Sequence, residues 1–289
     1  VQLRDYFWIS KFRRTANTDV PSDSAVKKKD FRTLFIYFLM VVIAVLLIVI
    51  KKQDDRLKEK IPIPPSPEVK GIIGLVIDDF GYRDDEVSDE FLNLDSRLTY
   101  AIIPGHEYSR SFGEKAVEKG FEVIVHMPFE NLANKGGEEG FVLSTSMDSQ
   151  TIQERVKKAF NQIPTAIGMN NHQGSKASAD QHVMSNVARV LKERELFFVD
   201  SRTTVETVAE STMEVHGVLT ARRNVFLDNE DDEEKIHAQL MELVEKSEKW
   251  GAAIGIGHVK PKTLKILQKH IPELQKKGYK FEFVSKMLH

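Results

Sequence analysis

The chain has 289 residues, a formal net charge of −2 and 41% hydrophobic residues, which is enough for one large folded domain or two small ones. The nearly balanced charge argues against a general nucleic-acid-binding protein, which would normally be basic. Because the chain contains no cysteine, thiolate catalysis, cysteine-type zinc sites and disulfides are excluded.

An uncharged apolar run near the N-terminus predicts a membrane span. Residues 34–50 read LFIYFLMVVIAVLLIVI, which is at the short end of the length that crosses a bilayer. Lys27, Lys28, Lys29 and Arg32 precede the run, whereas Lys51 and Lys52 follow it. This bias favours a cytoplasmic N-terminus. No small-x-small cleavage site follows, so we predict an uncleaved signal anchor over 31–50, with the rest of the protein outside the cytoplasm.

The regions around this anchor differ in composition. Residues 1–30 are polar, mixed in charge and without sustained periodicity, which predicts a disordered cytoplasmic segment. Residues 51–69 are first charged and then Pro-rich, which predicts an extended and rather stiff tether. The folded domain is expected over 70–289.

Within 70–289, short apolar runs alternate with amphipathic segments. The predicted strands are 71–77, 98–103, 121–126, 166–170, 195–200, part of 218–228, 252–257 and 279–284. The predicted helices are 84–93, 109–119, 149–160, 180–193, 233–249 and 261–270. This alternation predicts a parallel sheet with right-handed crossovers. About seven strands suit either a barrel or an open doubly wound sheet.

Two adjacent carboxylates close the first predicted strand, in Ile77-Asp78-Asp79-Phe80-Gly81. Neighbouring residues on an extended strand point to opposite sides, but a turn that starts at Asp79 would bring both side chains into one pocket. One carboxylate would then bind a metal while the other stays free as a base. The alternative is an Asp-Asp-x-Gly turn that caps the next helix.

Other polar residues follow the later strands. They are His126, Asn170-Asn171-His172, Asp200-Ser201-Arg202, Asp228 and His258. In a parallel β/α fold all strand ends of one kind face the same rim, so these residues are expected to converge. A single histidine at a strand end more often has only a structural, hydrogen-bonded role. Three histidines beside an aspartate pair favour a divalent-metal site, such as one for Zn²⁺, with an open coordination position.

Six motifs in order resemble the divergent polysaccharide deacetylases, which are distant relatives of the NodB-homology carbohydrate esterases. The motifs are Ile77-Asp-Asp-Phe-Gly81, His126-Met-Pro-Phe-Glu130, Asn170-Asn-His-Gln-Gly-Ser175, Phe198-Val-Asp-Ser-Arg202, Phe226-Leu-Asp-Asn229 and Ile254-Gly-Ile-Gly-His258. The resemblance covers nearly all of residues 71–288. It implies a distorted (β/α) barrel of about seven parallel strands. It also implies metal-dependent removal of N-acetyl groups from an amino-sugar polymer of the cell envelope, such as a chitooligosaccharide-like or peptidoglycan-like glycan.

The resemblance also implies roles for individual residues. Asp78 matches the catalytic base, Asp79 a metal ligand and His126 the first histidine of a metal-binding pair. The second histidine would fall where this chain has Glu130. Either Glu130 ligates the metal or it has a hydrogen-bonded supporting role, in which case His172 completes the set.

On the same basis His258 matches the histidine that acts as general acid, and Asp200 and Arg202 are candidates for orienting the catalytic groups. The remaining candidates for support or further ligation are Asn171 and Asp228. Two other functions stay open at this point. One is a degenerate barrel that binds envelope glycan or a protein partner without catalysis, which the departure at Glu130 motivates. The other is a metal hydrolase acting on a peptide amide or a phosphoester.

Overall fold

The computed structural model describes residues 31–60, 69–133 and 138–289. The chain divides into two compact units, Val1–Pro64 and Pro65–His289. The predicted disordered segment 1–30 and the Pro-rich part of the predicted tether lie outside the described residues.

The described part of the first unit is one helix, α1 (Phe31–Lys60). Among the described residues, Phe31–Arg56 is the one helical stretch that is long and apolar enough to be a candidate membrane span. The helix continues ten residues beyond the predicted end at residue 50, so the first half of the expected extended tether is helical. The reason is composition: KKQDDRLKEK is rich in straight-chain charged residues with good helix propensity and contains no proline.

The second unit is built on a nine-stranded sheet in which every described pairing is parallel. Its strands are β1 (Gly71–Phe80), β2 (Thr99–Ile102), β3 (Glu122–Phe129), β4 (Gly168–Gln173), β5 (Phe197–Asp200), β6 (Thr220–Arg222), β7 (Val225–Phe226), β8 (Ala252–His258) and β9 (Tyr279–Glu282). The order across the sheet is β6-β5-β4-β3-β2-β1-β8-β7, and β9 pairs with β1.

The two ends of this sheet belong to one continuous stretch of chain. β6 pairs with β5 and β7 pairs with β8, yet only two residues separate β6 from β7. Counting 220–226 as one position gives seven positions around the curl, with β9 added beside β1. The predicted distorted barrel of about seven parallel strands is therefore confirmed.

Helices cover the outside of the sheet and lie close to their predicted positions. They are α2 (Glu86–Phe91), α3 (Ser109–Glu118), α4 (Ser149–Gln162), α5 (Gln181–Glu193), α6 (Ala209–Val215), α7 (Glu233–Trp250) and α8 (Pro261–Lys276). Four of the helices begin with an aspartate that accepts a hydrogen bond from the first turn: Asp85, Asp148, Asp180 and Asp232. The short, polar helix α6 was not predicted. Asp85 caps α2, so the Asp78-Asp79 pair does not cap the next helix.

Strand residues alternate between two apolar clusters. The larger cluster, called the outer cluster below, includes Ile73, Leu75 and Ile77 and packs together with buried residues of the helices. The smaller cluster, called the inner cluster, joins inward-facing residues of several strands, among them Val76, Ile124 and Ile256. Because side chains on a strand alternate with a period of two, each strand has one face toward the helices and one toward the interior of the curled sheet.

Candidate metal centre and active site

The inward face of three strands changes from aliphatic to titratable at the carboxyl end. On each of these strands the titratable residue lies two positions after a member of the inner cluster. The pairs are Val76 and Asp78, Ile124 and His126, and Ile256 and His258. The period of two therefore directs all three side chains to the same interior, above an apolar floor. Asp78 and His258 are also direct partners in the β1–β8 ladder.

Asp79 reaches this interior by a local distortion of β1. Strand alternation alone would turn it outward, like Ile77. Its φ is 72°, in the left-handed region, and the β1–β2 register is irregular between Ile77 and Phe80. The predicted turn at Asp79 is thus a bulge within β1, which runs on to Phe80. Both carboxylates consequently face His126, whose Nε2 lies 3.5 Å from Asp78 Oδ2 and 3.4 Å from Asp79 Oδ1.

Three atoms that can ligate a metal form a nearly equilateral triangle. His126 Nε2 lies 3.2 Å from His172 Nδ1, and each of the two nitrogens lies 3.4 Å from Asp79 Oδ1. Ligands at Zn²⁺ bond lengths in a tetrahedral site are about 3.3 Å apart. The triangle therefore has the size of one face of a tetrahedral zinc site, and three protein ligands leave a fourth position open.

The electrostatics of the triangle favour a cation. Asp79 Oδ1 is buried and has no hydrogen-bond partner among the described residues, which is unusual for a buried carboxylate oxygen. Burial opposes its ionisation, but the nearby imidazoles of His126 and His172 hold the pKa of Asp79 well below its usual range. Burial likewise opposes protonation of His126, but Asp78 and Asp79 raise its pKa to about 9. A divalent ion would satisfy the carboxylate oxygen and both ring nitrogens, so these residues fit the expected metal.

Asn170 connects the triangle to Asp78, and sequence reasoning gave it no role. It is the ladder partner of His126 across β3 and β4. Its Oδ1 lies 2.7 Å from His126 Nδ1, and its Nδ2 donates to Asp78 Oδ1 at 2.9 Å. A hydrogen bond donated by Nδ1 leaves Nε2 of His126 with the lone pair that a metal requires. The signal available in the sequence was alternation, because Asn170 shares its strand face with His172.

A second polar group surrounds Asp228, whose side chain is buried at the end of the β7 segment. Its Oδ1 lies 2.7 Å from His258 Nδ1. Its Oδ2 accepts hydrogen bonds from the His258 backbone N–H at 2.9 Å and from the Thr263 hydroxyl at 2.6 Å. Burial opposes both ionised forms, but the pairing lowers the pKa of Asp228 and raises the pKa of His258. The arrangement fixes the imidazole and favours its protonated form, with Nε2 4.0 Å from Asp79 Oδ2.

With this geometry in hand, the family is decided by comparison with known sequences. A family model described as divergent polysaccharide deacetylase matches residues 75–288. The chain belongs to the divergent polysaccharide deacetylase family.

Three other proteins are similar to this chain in sequence or fold. The chain is 34% identical over 209 residues to the uncharacterized protein YibQ of Escherichia coli K12, an alignment that spans 72% of this chain and 65% of that protein. It is 35% identical over 204 residues to an uncharacterized protein of Haemophilus influenzae, with 70% and 72% of the two chains covered. The fold is similar to the crystal structure of the uncharacterized protein ATU2773 from Agrobacterium tumefaciens C58. That match has a TM-score of 0.72 at 19% identity and covers 78% of this chain and 92% of that one.

In this deacetylase-family chain Glu130 lies outside the metal triangle. Its Oε2 accepts hydrogen bonds from the Ser144 hydroxyl and from the backbone N–H and hydroxyl of Thr145, at 2.8 to 2.9 Å. Its Oε1 pairs with Lys176 at 2.6 Å. Burial opposes ionisation, but these partners lower the pKa of Glu130 to about 2. These contacts tie together the loops after β3 and β4, and they favour the supporting one of the two roles left open for Glu130.

Asn171 and Asp200 serve the backbone rather than the reacting groups. Asn171 donates to the Gln173 carbonyl at 2.8 Å and accepts from the Ser201 N–H at 2.9 Å. Asp200 shares its strand face with Phe198, which packs in the outer cluster, so its side chain points away from the interior. It accepts from the Arg202 N–H at 2.8 Å, and burial raises its pKa. The expected direct orientation of catalytic groups by Asp200 is not what the structure contains.

A cavity of about 380 Å³ opens beside the reacting groups. Asp78, His126, His172 and His258 line it. Arg202, predicted as a site residue, also lines it, together with Arg223, which sequence reasoning did not single out. Arg223 directly follows β6, so its position after a strand was the available signal. The cavity volume is within the range of small-molecule sites, and it is the place where a substrate would meet the metal triangle.

Proposed function

We propose that this protein is a metal-dependent hydrolase that removes N-acetyl groups from an amino-sugar polymer of the cell envelope. The observation that carries the proposal is the triangle of Asp79, His126 and His172, flanked by the free carboxylate of Asp78 and the imidazole of His258. Membership in the divergent polysaccharide deacetylase family supports the same reaction class.

Asp79, His126 and His172 would hold a divalent ion, of which Zn²⁺ suits the mixed nitrogen and oxygen donors best. When bound, such an ion polarises a carbonyl group and lowers the pKa of water. His172 Nδ1 completes the triangle although position 130 is not a histidine. This observation favours an active site over a degenerate binding barrel.

Asp78 is the proposed base. It is buried, and burial raises its pKa above the ordinary aspartate value, which makes it a better proton acceptor. The N–H group of Asn170 fixes Oδ1 at 2.9 Å, and Oδ2 faces the triangle. Asp78 takes a proton from the attacking water as the oxygen of that water bonds to the acetamide carbon.

His258 is the proposed acid. Asp228 holds its Nδ1, so its Nε2 is the atom turned toward the site. The pairing with Asp228 raises the pKa of His258 and so favours the protonated imidazole. As the carbon–nitrogen bond breaks, Nε2 donates its proton to the leaving amine. The products are acetate and the free amino sugar, and no covalent enzyme intermediate is needed.

The proposed location is outside the cytoplasm, with helix α1 as a signal anchor. The apolar helix and the lysines before it support an inside N-terminus. An envelope glycan is then the polymer within reach of the catalytic unit.

The test is product analysis with the Zn²⁺-loaded full chain in detergent. Chitooligosaccharides and peptidoglycan fragments are incubated beside a peptide amide and a phosphoester, and acetate and new amine are measured. We expect the wild-type protein to release acetate and amine in equal amounts from a glycan. The Asp78→Asn variant should release neither product. Hydrolysis of only the peptide amide or the phosphoester would contradict the proposal. Tight metal binding without any turnover would favour the binding barrel.

A further inference from the structure

Two arginines, Arg202 and Arg223, are among the residues that line the cavity beside the metal triangle. Within the described residues, the side chain of Arg202 has no hydrogen bond or ion pair. The side chain of Arg223 donates to two backbone carbonyls, those of Ser201 at 2.6 Å and Arg202 at 2.8 Å. Neither arginine forms a salt bridge to a described carboxylate, although arginines near buried sites are normally paired.

The side chain of Arg223 and the backbone of Arg202 are held in place by their surroundings. Arg223 lies over the ring of Phe226, with its guanidinium carbon 4.9 Å from the ring centroid. Arg202 has a φ of 48°, in the left-handed region that residues with a Cβ seldom adopt. Its backbone N–H bonds to Asp200, and its carbonyl accepts the bond from Arg223. A strained backbone that is fixed from both sides is typical of residues that present a side chain to a ligand.

The carboxylates near the cavity act on the arginines from a distance and form no ion pair with them among the described residues. Asp78 is the one carboxylate among its lining residues, and it belongs to the catalytic group beside the metal triangle. Asp200 interacts electrostatically with both arginines, but its side chain is buried on the outward face of β5. The other lining groups near the arginines, Thr203 and Asn229, are neutral. An anionic ligand would find two fixed cations here, whereas a neutral amino sugar would leave both unpaired.

We propose that the amino sugar bound in this cavity carries a carboxylate, and that Arg202 and Arg223 bind it. This inference rests on the proposed deacetylase function and narrows its substrate class. A planar guanidinium matches a carboxylate with two parallel hydrogen bonds. Arg202 is the specificity residue that is free to form such a pair, and Arg223 adds a fixed charge next to it.

The test compares two ligands that differ only in charge: N-acetylmuramic acid, which has a carboxylate on its ether substituent, and its primary amide. Binding to the Zn²⁺-loaded full chain is measured by calorimetry, and acetate release is measured in the same samples. We expect the acid to bind at least about tenfold tighter than the amide. Arg202→Gln should reduce this preference to less than about threefold, and Arg202→Lys should restore part of it because it keeps the charge.

Arg222→Gln is the matched control. Arg222 is exposed, pairs with Glu210 at 3.4 Å and lies outside this cavity, so the same charge change there should leave the preference intact. Equal binding of acid and amide by the wild type, or an unchanged preference in Arg202→Gln, would overturn the inference. Acetate release from both ligands with no preference would overturn it while the deacetylase function stands. A clear preference for the acid without acetate release from either ligand would support carboxylate binding in this cavity and contradict the deacetylase function.

Discussion

The two polar halves of the site are built on opposite principles. Both side-chain oxygens of Asp228 have hydrogen-bond partners: the imidazole of His258, the backbone N–H of His258 and the hydroxyl of Thr263. Around Asp79 a buried carboxylate oxygen has no hydrogen-bond partner among the described residues, and two imidazoles face it. The first half is complete by itself and holds one imidazole still. The second half has a buried oxygen that a bound cation would satisfy, and leaving such an oxygen unsatisfied is costly.

The difference predicts that the Asp228 half supports His258, whereas the triangle binds the metal. Substitutions on the Asp228 side should alter the protonation and orientation of His258 and leave metal content unchanged. Substitutions in the triangle should remove the metal. Asp78 and Asn170 lie between the halves, since Asp78 pairs with His258 across β1 and β8 and Asn170 touches both Asp78 and His126.

The largest effect is expected for Asp78→Asn. The amide has the same shape but cannot accept the proton of water, so turnover should fall about 10³-fold or more. Because Asp78 is not one of the three ligands, zinc content should stay at the wild-type level. Initial rates of acetate release and metal analysis on one preparation check both parts. Loss of zinc together with activity would place Asp78 in the ligand set.

Asp228→Asn should lower turnover by about 10²- to 10³-fold and change the pH profile. Asp228 raises the pKa of His258, so without this charge the proton is lost at lower pH. The alkaline limb of kcat/KM should therefore move toward lower pH, whereas the acid limb, which reports Asp78, should stay. An unmoved alkaline limb in the variant would rule out His258 as the acid.

Asn170→Ala should weaken Zn²⁺ binding by about 10- to 100-fold, the usual effect of removing a group that orients a metal ligand. The change takes away the partner of His126 Nδ1 and of Asp78 Oδ1. Competition with a chelator measures the dissociation constant. Asn171→Ala is the control from the neighbouring position, because its amide contacts backbone groups of Gln173 and Ser201. Weaker zinc binding in Asn171→Ala than in Asn170→Ala would contradict the assignment.

Glu130→Gln should have a small effect, on stability alone. The pKa of Glu130 is lowered from 4.5 to about 2, so its contribution to folding is full above pH 4.5 and disappears as the pH falls toward 2. We expect the variant to lose about 1–2 kcal/mol in the free energy of unfolding at pH 7. Urea unfolding at pH 7 and pH 3 measures this loss, which should shrink at the lower pH. An equal loss at both values would exclude the carboxylate charge as its cause.

The sequence predicted the strands and the polar residues that converge at one end of the sheet, because both depend on local patterns. Apolar runs followed by a polar residue identify a buried parallel strand, as in β1, β3 and β8, although β1 runs on to Phe80 and β3 to Phe129. The apolar helix over 31–50 was also clear from composition, although the charged helix formers after it extend α1 to Lys60.

The finer assignments depend on facts that local patterns do not contain. The choice between Asn170 and Asn171 is a choice of strand face, which a shift of one residue reverses. The choice between Glu130 and His172 depends on the β3–β4 register, in which Pro128 pairs with His172 and places that imidazole beside His126. The inward turn of Asp79 required a bulge, and the exposure of Arg223 to the cavity required the passage of the chain from β6 to β7.

The central claim is that Asp79, His126 and His172 form one metal site from which Glu130 is excluded. The most direct test is the zinc content of the purified full chain and of the variants His172→Ala and Glu130→Gln, measured by mass spectrometry after equilibration with equal Zn²⁺. We predict one zinc ion per wild-type chain, one in Glu130→Gln and a loss of at least about 90% in His172→Ala. Retention of zinc in His172→Ala together with its loss in Glu130→Gln would contradict the account.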